Sequence, residues 1–362
     1  MKSKLLYNGI NENDKIENRQ VEIIMKMSDV AKLANVSPAT VSRVLRQPDL
    51  VSEDTKQKVL QVIEEMNYKP HMIASQFRTK ETKIILVVVP DITRPFFSEV
   101  LRGIEHTAVE NGYQVILGDT ENDIEREKEY IDLLYKKQAD GALLLTARMS
   151  RESLEKLSNQ FPIVLACEYV DGLDIPTVSI DNVSSARKVT EHLIKLGHTR
   201  IAHITGPMNI ILSRDRLGGF QQAMKNHHLK VNPEFIQEGG DYGIDSGYDQ
   251  MVNLLSLENR PEAVFVFNDE MALGAVKAIQ DHGLSVPRDI AVVGFDNLKI
   301  ASIFHPHITT IDQPKYEIGK MATNLLLTLM KGGTVEKKKF VLEDKLIIRE
   351  SCGSELEKSL NA

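Results

Sequence analysis

Apolar residues along this chain follow two different rhythms. Between residues 27 and 66 they recur at intervals of three and four: Val30, Ala31, Leu33 and Ala34, then Val41, Val44 and Leu45, then Val59, Val62, Ile63 and Met66. That spacing predicts three short amphipathic helices, each burying one stripe. From Lys83 onward the apolar residues gather into short β-rich runs separated by amphipathic helical stretches. The runs are IILVVV at 84–89, QVILGD at 114–119, GALLLT at 141–146, PIVLA at 162–166, RIAHIT at 200–205, AVFVF at 263–267 and DIAVVGFD at 289–296. Buried strands alternating with helices predict parallel sheets covered on both faces, and over this length two doubly wound lobes rather than one.

The boundaries of the first three elements are marked by residue type. Ser28 is expected to cap the first helix, with Asp29 favourably placed against its dipole. Asn35 suits the left-handed turn that follows. Ser37 and Pro38 fit the N-cap and first position of the second helix, and Ser52 with Glu53 and Asp54 opens the third. If Val41, Val44 and Leu45 face inward, then Ala39, Thr40, Ser42, Arg43 and Arg46 face solvent. A surface that is small and polar at the helix start and basic further on suits entry into a DNA major groove. A helical hairpin of no special function shares the periodicity, but not this combination of caps, turn and exposed side chains.

Charge sharpens the division. The chain of 362 residues carries a net charge of −7, yet residues 26–83 hold 10 Lys and Arg against 7 Asp and Glu, so +3 sits there and −10 on the rest. Only the N-terminal segment is a plausible phosphate partner. The composition, 42% apolar and 26% charged, is that of a globular protein. Cys167 and Cys352 stand far apart, outside any C-x-x-C or Cys/His cluster, so neither a metal site nor a redox motif is expected. No apolar run approaches a membrane span, and the first 24 residues are too polar for a signal peptide, so the expected location is the cytoplasm, with no membrane partner. Residues 1–26 read as a flexible extension, or as the product of a start codon placed upstream of Met25 or Met27.

In open α/β sheets ligands bind beyond the carboxyl ends of the strands. The residues there are Asp91, Arg94, Phe96 and Phe97 after the first run, Asp119 after the second, and Thr146 and Arg148 after the third. Asp181 and Asn182 follow TVSI, Asn268 and Asp269 follow AVFVF, and Asp296 follows VVGF; GPMNIILSRDRLGGF adds Ser213 and Arg216. Carboxylates, amides and guanidinium groups with two aromatic rings suit a polyhydroxylated ligand. Asp and Asn at strand ends also serve as helix caps, which by itself accounts for Asn182, Asp269 and Asp119. One of Phe96 and Phe97 is expected in the core.

Two stretches, SDVAKLANVSPATVSRVL and NYKPHMIASQFR, strongly resemble the LacI/GalR family of bacterial repressors, and the likeness extends over nearly all of residues 27–352, including FNDEMALGA and HPHITTIDQP. It implies a fold class of α/β: an N-terminal all-α helix-turn-helix DNA-binding domain plus a two-lobed, doubly wound, periplasmic-binding-protein-like domain. The expected domains are 27–69 for the helix-turn-helix, 70–82 for a hinge helix and linker, 83–352 for effector binding and dimerisation, and 353–362 for a tail. The resemblance further implies that Pro70 starts a helix that enters the minor groove as a symmetric pair. Phe77 stands where the family has a wedge leucine, and Ser75 replaces the usual arginine, leaving Arg78 to supply that contact. DNA contacts are thus expected from Ser28, Ser37, Pro38, Ala39, Thr40, Ser42 and Arg43, and from Tyr68, His71, Ala74, Phe77 and Arg78. The motifs D-N, S-x-x-R-x-x-G-F and V-G-F-D place Asp181, Arg216 and Asp296 among the ligand residues. Within the family the chain most resembles the cytidine-responsive repressor branch, through ILVVVPDITRPFFSEVLRGIE, DLLYKKQADGALLL and LDIPTVSIDN, with sugar-responsive members sharing much of the same text.

Two other classes fit less well. An exported binding protein shares the lobes but has no use for residues 27–78. An enzyme on such a fold needs chemistry that is not there: no phosphate-binding glycine loop, no nucleotide fingerprint, no Ser/His/Asp or metal-ligand spacing. His198, His305 and His307 are assigned to turns and packing. The expected protein is not an enzyme and needs no cofactor. Its partners are pseudo-palindromic operator DNA, a nucleoside or sugar effector, and a second copy of itself. A tail of SELEKSLNA is too short for a tetramerising coiled coil.

Overall fold

The computed structural model describes residues 26–66, Tyr68 and 81–354. The chain divides after Lys80 into two compact units. In the N-terminal unit the three helices are α1 (Met27–Leu33), α2 (Pro38–Arg46) and α3 (Glu53–Glu65). Val30, Ala31, Ala34, Val41, Val44 and Val59 close on a small core, as the spacing requires. Asn35 takes the left-handed turn at φ 52°. Ser37 caps α2, its Oγ accepting the Thr40 N–H at 3.1 Å. Three details differ from expectation. The first helix starts earlier, with Lys26 as N-cap and its N–H donating to the Asp29 carboxylate, which puts Ser28 inside the first turn rather than at the cap. Leu33, the last residue of α1, is exposed at the flank of the buried stripe. Met66 is exposed too, since α3 ends at Glu65 and Tyr68 covers that end of the core in its place.

The second unit holds both lobes. Lobe one is a six-stranded parallel sheet of β1 (Ile84–Val89), β2 (Gln114–Asp119), β3 (Gly141–Leu144), β4 (Ile163–Ala166), β5 (Thr177–Ile180) and β11 (Lys339–Leu342), in the order β11-β5-β4-β3-β1-β2. Its helices are α4 (Pro95–Glu110), α5 (Ile124–Tyr135), α6 (Arg151–Ser158) and α11 (Lys315–Met330). Lobe two is a four-stranded parallel sheet of β6 (Ile201–Thr205), β7 (Ile236–Glu238), β8 (Ala263–Val266) and β9 (Ala291–Val293), in the order β7-β6-β8-β9. It carries α7 (Asn182–Lys195), α8 (Ile211–Asn226), α9 (Ile244–Leu255) and α10 (Asp269–Asp281). A short antiparallel ribbon of β10 (Thr310–Asp312) and β12 (Lys345–Ile347) lies where the chain passes between lobes.

The central strands of both sheets are buried on two faces, which is why they read as continuous apolar runs, whereas the edge strand β2 leaves Ile116 and Leu117 exposed. Ile85, Val87 and Val89 point to one core and Leu86 and Val88 to another, while Ala263 and Phe265 part from Val264 and Val266 in the same way. Helices approach closely through glycine: a Cβ on Gly103 of α4 would strike the Tyr316 carbonyl of α11, and one on Gly319 would strike that of Val100. The strands the apolar runs did not announce are β5, in which Thr and Ser alternate with Val and Ile, and β7, β10, β11 and β12. The last four are three or four residues long, with charged or polar side chains at an edge or in the ribbon, where no periodicity can build up.

Candidate functional site

The carboxyl ends of the strands of both lobes face a cleft lined by side chains from each of them. From lobe one come Phe96 and Phe97 at the start of α4, Thr146 and Arg148 after β3, and Cys167 and Glu168 after β4. From lobe two come Arg216 of α8, Tyr242 from the loop before α9, Phe267, Asn268 and Glu270 after β8, and Asp296 after β9; Gln313 is added by the crossing segment. Phe97 is a core residue and Phe96 only half-buried, the division expected.

The deepest group is Arg216, 3% exposed. Its Nη1 donates to the Phe267 carbonyl at 2.6 Å and its Nε to Asn182 Oδ1 at 3.0 Å, while Nη2 stands 3.8 Å from Asp296. The guanidinium lies 3.7 Å from the centroid of Phe295 and 4.3 Å from that of Phe267, so two rings hold it flat. Burial lowers its pKa to about 10, still a cation at neutral pH. Asp296 Oδ1 accepts Gln313 Nε2 at 2.7 Å, and Lys315 Nζ donates to the Asp296 carbonyl at 2.6 Å. Burial raises the Asp296 pKa against the pull of Arg216 and Lys315. Asp296 and Cys167, one on each side, hold left-handed backbone at φ 108° and 69°, a strain that non-glycine residues keep only where the surroundings impose it.

Lobe one answers with a second ion pair. Arg148 Nη1 donates to both Glu168 oxygens at 3.2 Å, and the Arg148 main-chain N–H is held by the buried Glu127 carboxylate at 2.8 Å. Burial raises the Glu168 pKa against Arg148. Beside this pair the Thr146 Oγ1 is buried without a hydrogen-bond partner, as is Ser213 Oγ in the first turn of α8. Two contacts join the rims: the Arg94 guanidinium lies 4.4 Å from the Tyr242 ring centroid, and the Tyr169 hydroxyl donates to Asp215 at 3.0 Å.

Seven of the expected ligand residues therefore converge: Phe96, Phe97, Thr146, Arg148, Arg216, Asn268 and Asp296. Four stand elsewhere. Asp91 holds the turn ahead of α4, binding the Thr93 N–H and lying 3.4 Å from Arg94. Asp181 caps α7 through the Ser184 N–H and is exposed. Asp269 is wholly buried behind the cleft, accepting from the Leu298 N–H and the Thr310 hydroxyl, each at 2.7 Å. Ser213 lies one helical turn ahead of Arg216, fully buried and facing Gly206. The strand-end caps also fall one residue earlier than expected, at Asp181 and Asn268 rather than Asn182 and Asp269. Glu168, Tyr242 and Phe267 were missed. Glu168 follows a strand as Asp296 does and the same rule could have found it; Tyr242 sits on the loop GGDYG, where only the glycines hinted at a special role.

On the N-terminal unit, Ser37, Pro38, Ala39 and Arg43 are exposed along α2, with Thr40 and Ser42 half-buried, giving one small, polar and basic face. Tyr68 is 6% exposed and packs in the core, so its role there is structural. His71, Ala74, Phe77 and Arg78 lie outside the described residues. Among the described residues no helix is long and apolar enough to cross a membrane, and no group of His, Cys, Asp and Glu is placed to hold a metal.

Known proteins combine the same parts. Residues 26–71 match the model of the bacterial regulatory proteins of the lacI family, and residues 190–352 match a periplasmic binding protein-like domain. The HTH-type transcriptional repressor CytR of Escherichia coli K12 is 42% identical over 334 residues, covering 92% of this chain and 98% of that protein. The lac repressor dimer bound to operator and the anti-inducer ONPF superposes with a TM-score of 0.84 at 29% identity, covering 91% of this chain and 99% of that one. The transcriptional regulator CelR in complex with cellobiose gives a TM-score of 0.70 at 30% identity over 90% of this chain and 99% of its own. With a helix-turn-helix ahead of a two-lobed binding domain and a full-length relative of this identity, the chain belongs to the lacI family of bacterial transcriptional regulators.

Proposed function

We propose that the chain is a cytoplasmic repressor that binds a pseudo-palindromic operator as a homodimer and loses or gains DNA affinity when a nucleoside or sugar enters the cleft. The observation that carries this reading is the buried pair Arg216–Asp296 at the foot of a cleft walled by Phe96, Phe97, Tyr242 and Phe267. A guanidinium donor beside a carboxylate acceptor suits adjacent hydroxyls, which donate to one and accept from the other, and the rings suit the flat face of a base or the apolar face of a sugar. On DNA, α2 reads the major groove through Ala39, Thr40, Ser42 and Arg43, with Ser37 and Pro38 fixing its start. Pro70 to Arg78 supply the minor-groove half, with Phe77 as the wedge and His71, Ala74 and Arg78 beside it.

A ligand shifts DNA affinity only as far as its own affinity differs between two lobe arrangements. The rim contacts Arg94–Tyr242 and Tyr169–Asp215 belong to one such arrangement. A thermal-shift screen of nucleosides, pentoses and hexoses tests the reading, because a ligand bound to the folded state must raise the melting temperature. A compound that raises it and also changes operator affinity supports the reading. A panel in which none does either removes these classes as effectors.

A further inference from the structure

We infer that the cleft admits uncharged ligands and turns away their phosphate esters, and that Glu168 is the residue that sets this preference. The inference rests on the effector reading above and narrows it to a ligand class.

The cleft is rich in arginine, which at first suggests an anion. Each guanidinium is already compensated. Arg216 gives Nη1 to the Phe267 carbonyl and Nε to Asn182, and its charge is set beside the Asp296 carboxylate. Arg94 lies 3.4 Å from Asp91 and over the Tyr242 ring. Arg148 gives Nη1 to both oxygens of Glu168. Glu270 adds a further carboxylate to the lining. A phosphate monoester brings a charge of about −1.5 to −2. Placed here, it meets no free cation and must either displace a carboxylate or remain an uncompensated charge in a desolvated space, and both are costly. The first turns of α4 and α8, neither capped by a side chain, offer only a partial positive charge, which a hydroxyl or carbonyl oxygen satisfies. The unpartnered Thr146 hydroxyl asks for the same neutral chemistry, and it stands two residues from Arg148.

Glu168 is singled out because its removal would free a cation without moving it. Arg148 is fixed from behind by its own main-chain N–H on Glu127, independently of Glu168. Asp296 is different: Gln313 and Lys315 anchor it as well as Arg216, and its backbone is in a left-handed conformation, so changing it disturbs more than charge. Glu168→Gln keeps the shape and one acceptor oxygen, and leaves Arg148 an unbalanced cation facing the ligand.

Isothermal titration of the full chain tests this with ribonucleosides, ribose and glucose, each beside its 5′- or 6′-type phosphate monoester. For at least one neutral compound the phosphate ester should bind at least about tenfold more weakly, the equivalent of about 1.4 kcal/mol. Glu168→Gln should narrow that gap by gaining affinity for the ester, and the double variant Glu168→Gln, Arg148→Gln should lose the gain. Glu168→Ala also removes the carboxylate and leaves Arg148 in place, should narrow the gap in the same way, and serves if Glu168→Gln does not fold. An ester that binds the unaltered protein as tightly as its parent overturns the inference and leaves the effector reading standing. A gap unchanged in both Glu168→Gln and Glu168→Ala overturns the role of Glu168. No binding by any compound, neutral or phosphorylated, removes the effector reading and this inference with it.

Discussion

The two functional regions use arginine in opposite ways. Arg43 on α2 is exposed, and its guanidinium has no ion pair or hydrogen bond among the described residues. Arg216 in the cleft is 3% exposed, hydrogen-bonded at two nitrogens, stacked on two rings and set beside Asp296. The first works through a long-range field that salt screens; the second works through fixed geometry in a space that excludes water. A surface charge of the first kind can be removed at little cost to the fold, whereas one of the second kind is part of what holds the fold together.

The largest test of that contrast is Arg216→Ala. It leaves Asp296 buried beside no guanidinium and should destabilise the protein by about 3–5 kcal/mol in chemical denaturation. A loss below 1 kcal/mol would mean that water or Lys315 replaces the guanidinium and that the cleft is less dry than its burial implies.

A second test concerns His203, which lies between Phe220 and Phe265 with Nδ1 at 2.9 Å from the Phe265 carbonyl and Nε2 unpartnered. Burial lowers its pKa from 6.5 to about 4, so between those values the unfolded chain binds a proton that the folded one refuses. The stability due to the neutral ring is complete above about 6.5 and is lost as pH falls toward 4, on the order of 3 kcal/mol. His203→Phe should flatten this part of the stability curve; the same slope in the variant would move the cause to the carboxylates.

Arg43→Ala should be smaller and fall wholly on DNA. Binding to an operator fragment selected from random duplexes should weaken by about 1–3 kcal/mol, with the melting temperature of the free protein unchanged. If affinity falls equally for every duplex and the salt slope drops by about one, Arg43 contacts phosphate rather than a base. Ser37→Ala is the smallest, costing about 1 kcal/mol through the lost cap of α2. Hydrogen exchange should show faster opening at Thr40 and Val41, while ligand binding to the cleft stays as it was.

The parts of the molecule that could be read in advance are those whose signals are local. Caps, the Asn35 turn and i, i+3, i+4 spacing place α1 to α3 within a residue or two, and the errors at Ser28, Leu33 and Met66 all fall at helix ends, where a single residue decides. The long apolar strands were legible because burial on both faces leaves no polar positions. Strand β11, one of the two edge strands of the lobe-one sheet, was not, because its alternation of Lys339, Phe340, Val341 and Leu342 is too short to stand out. Among the site residues, Arg216 and Asp296 followed from motif position and from the strand-end rule. That rule could not tell a ligand residue from a cap, which is why Asp181 and Asp269 were grouped with them.

By itself the sequence determined that a three-helix reader precedes two doubly wound lobes, because caps, turns and apolar periodicity act over a few residues and need no distant partner. Which polar groups meet in the cleft was decided only by the tertiary structure. Arg148 and Glu168 pair across adjacent strand ends, Arg216 is held by the carbonyl of Phe267 and the amide of Asn182, and Asp269 turns away to bind Leu298 and Thr310. Each of these follows from which buried group finds a partner, and that depends on how the strands and crossing segments are packed rather than on any residue alone.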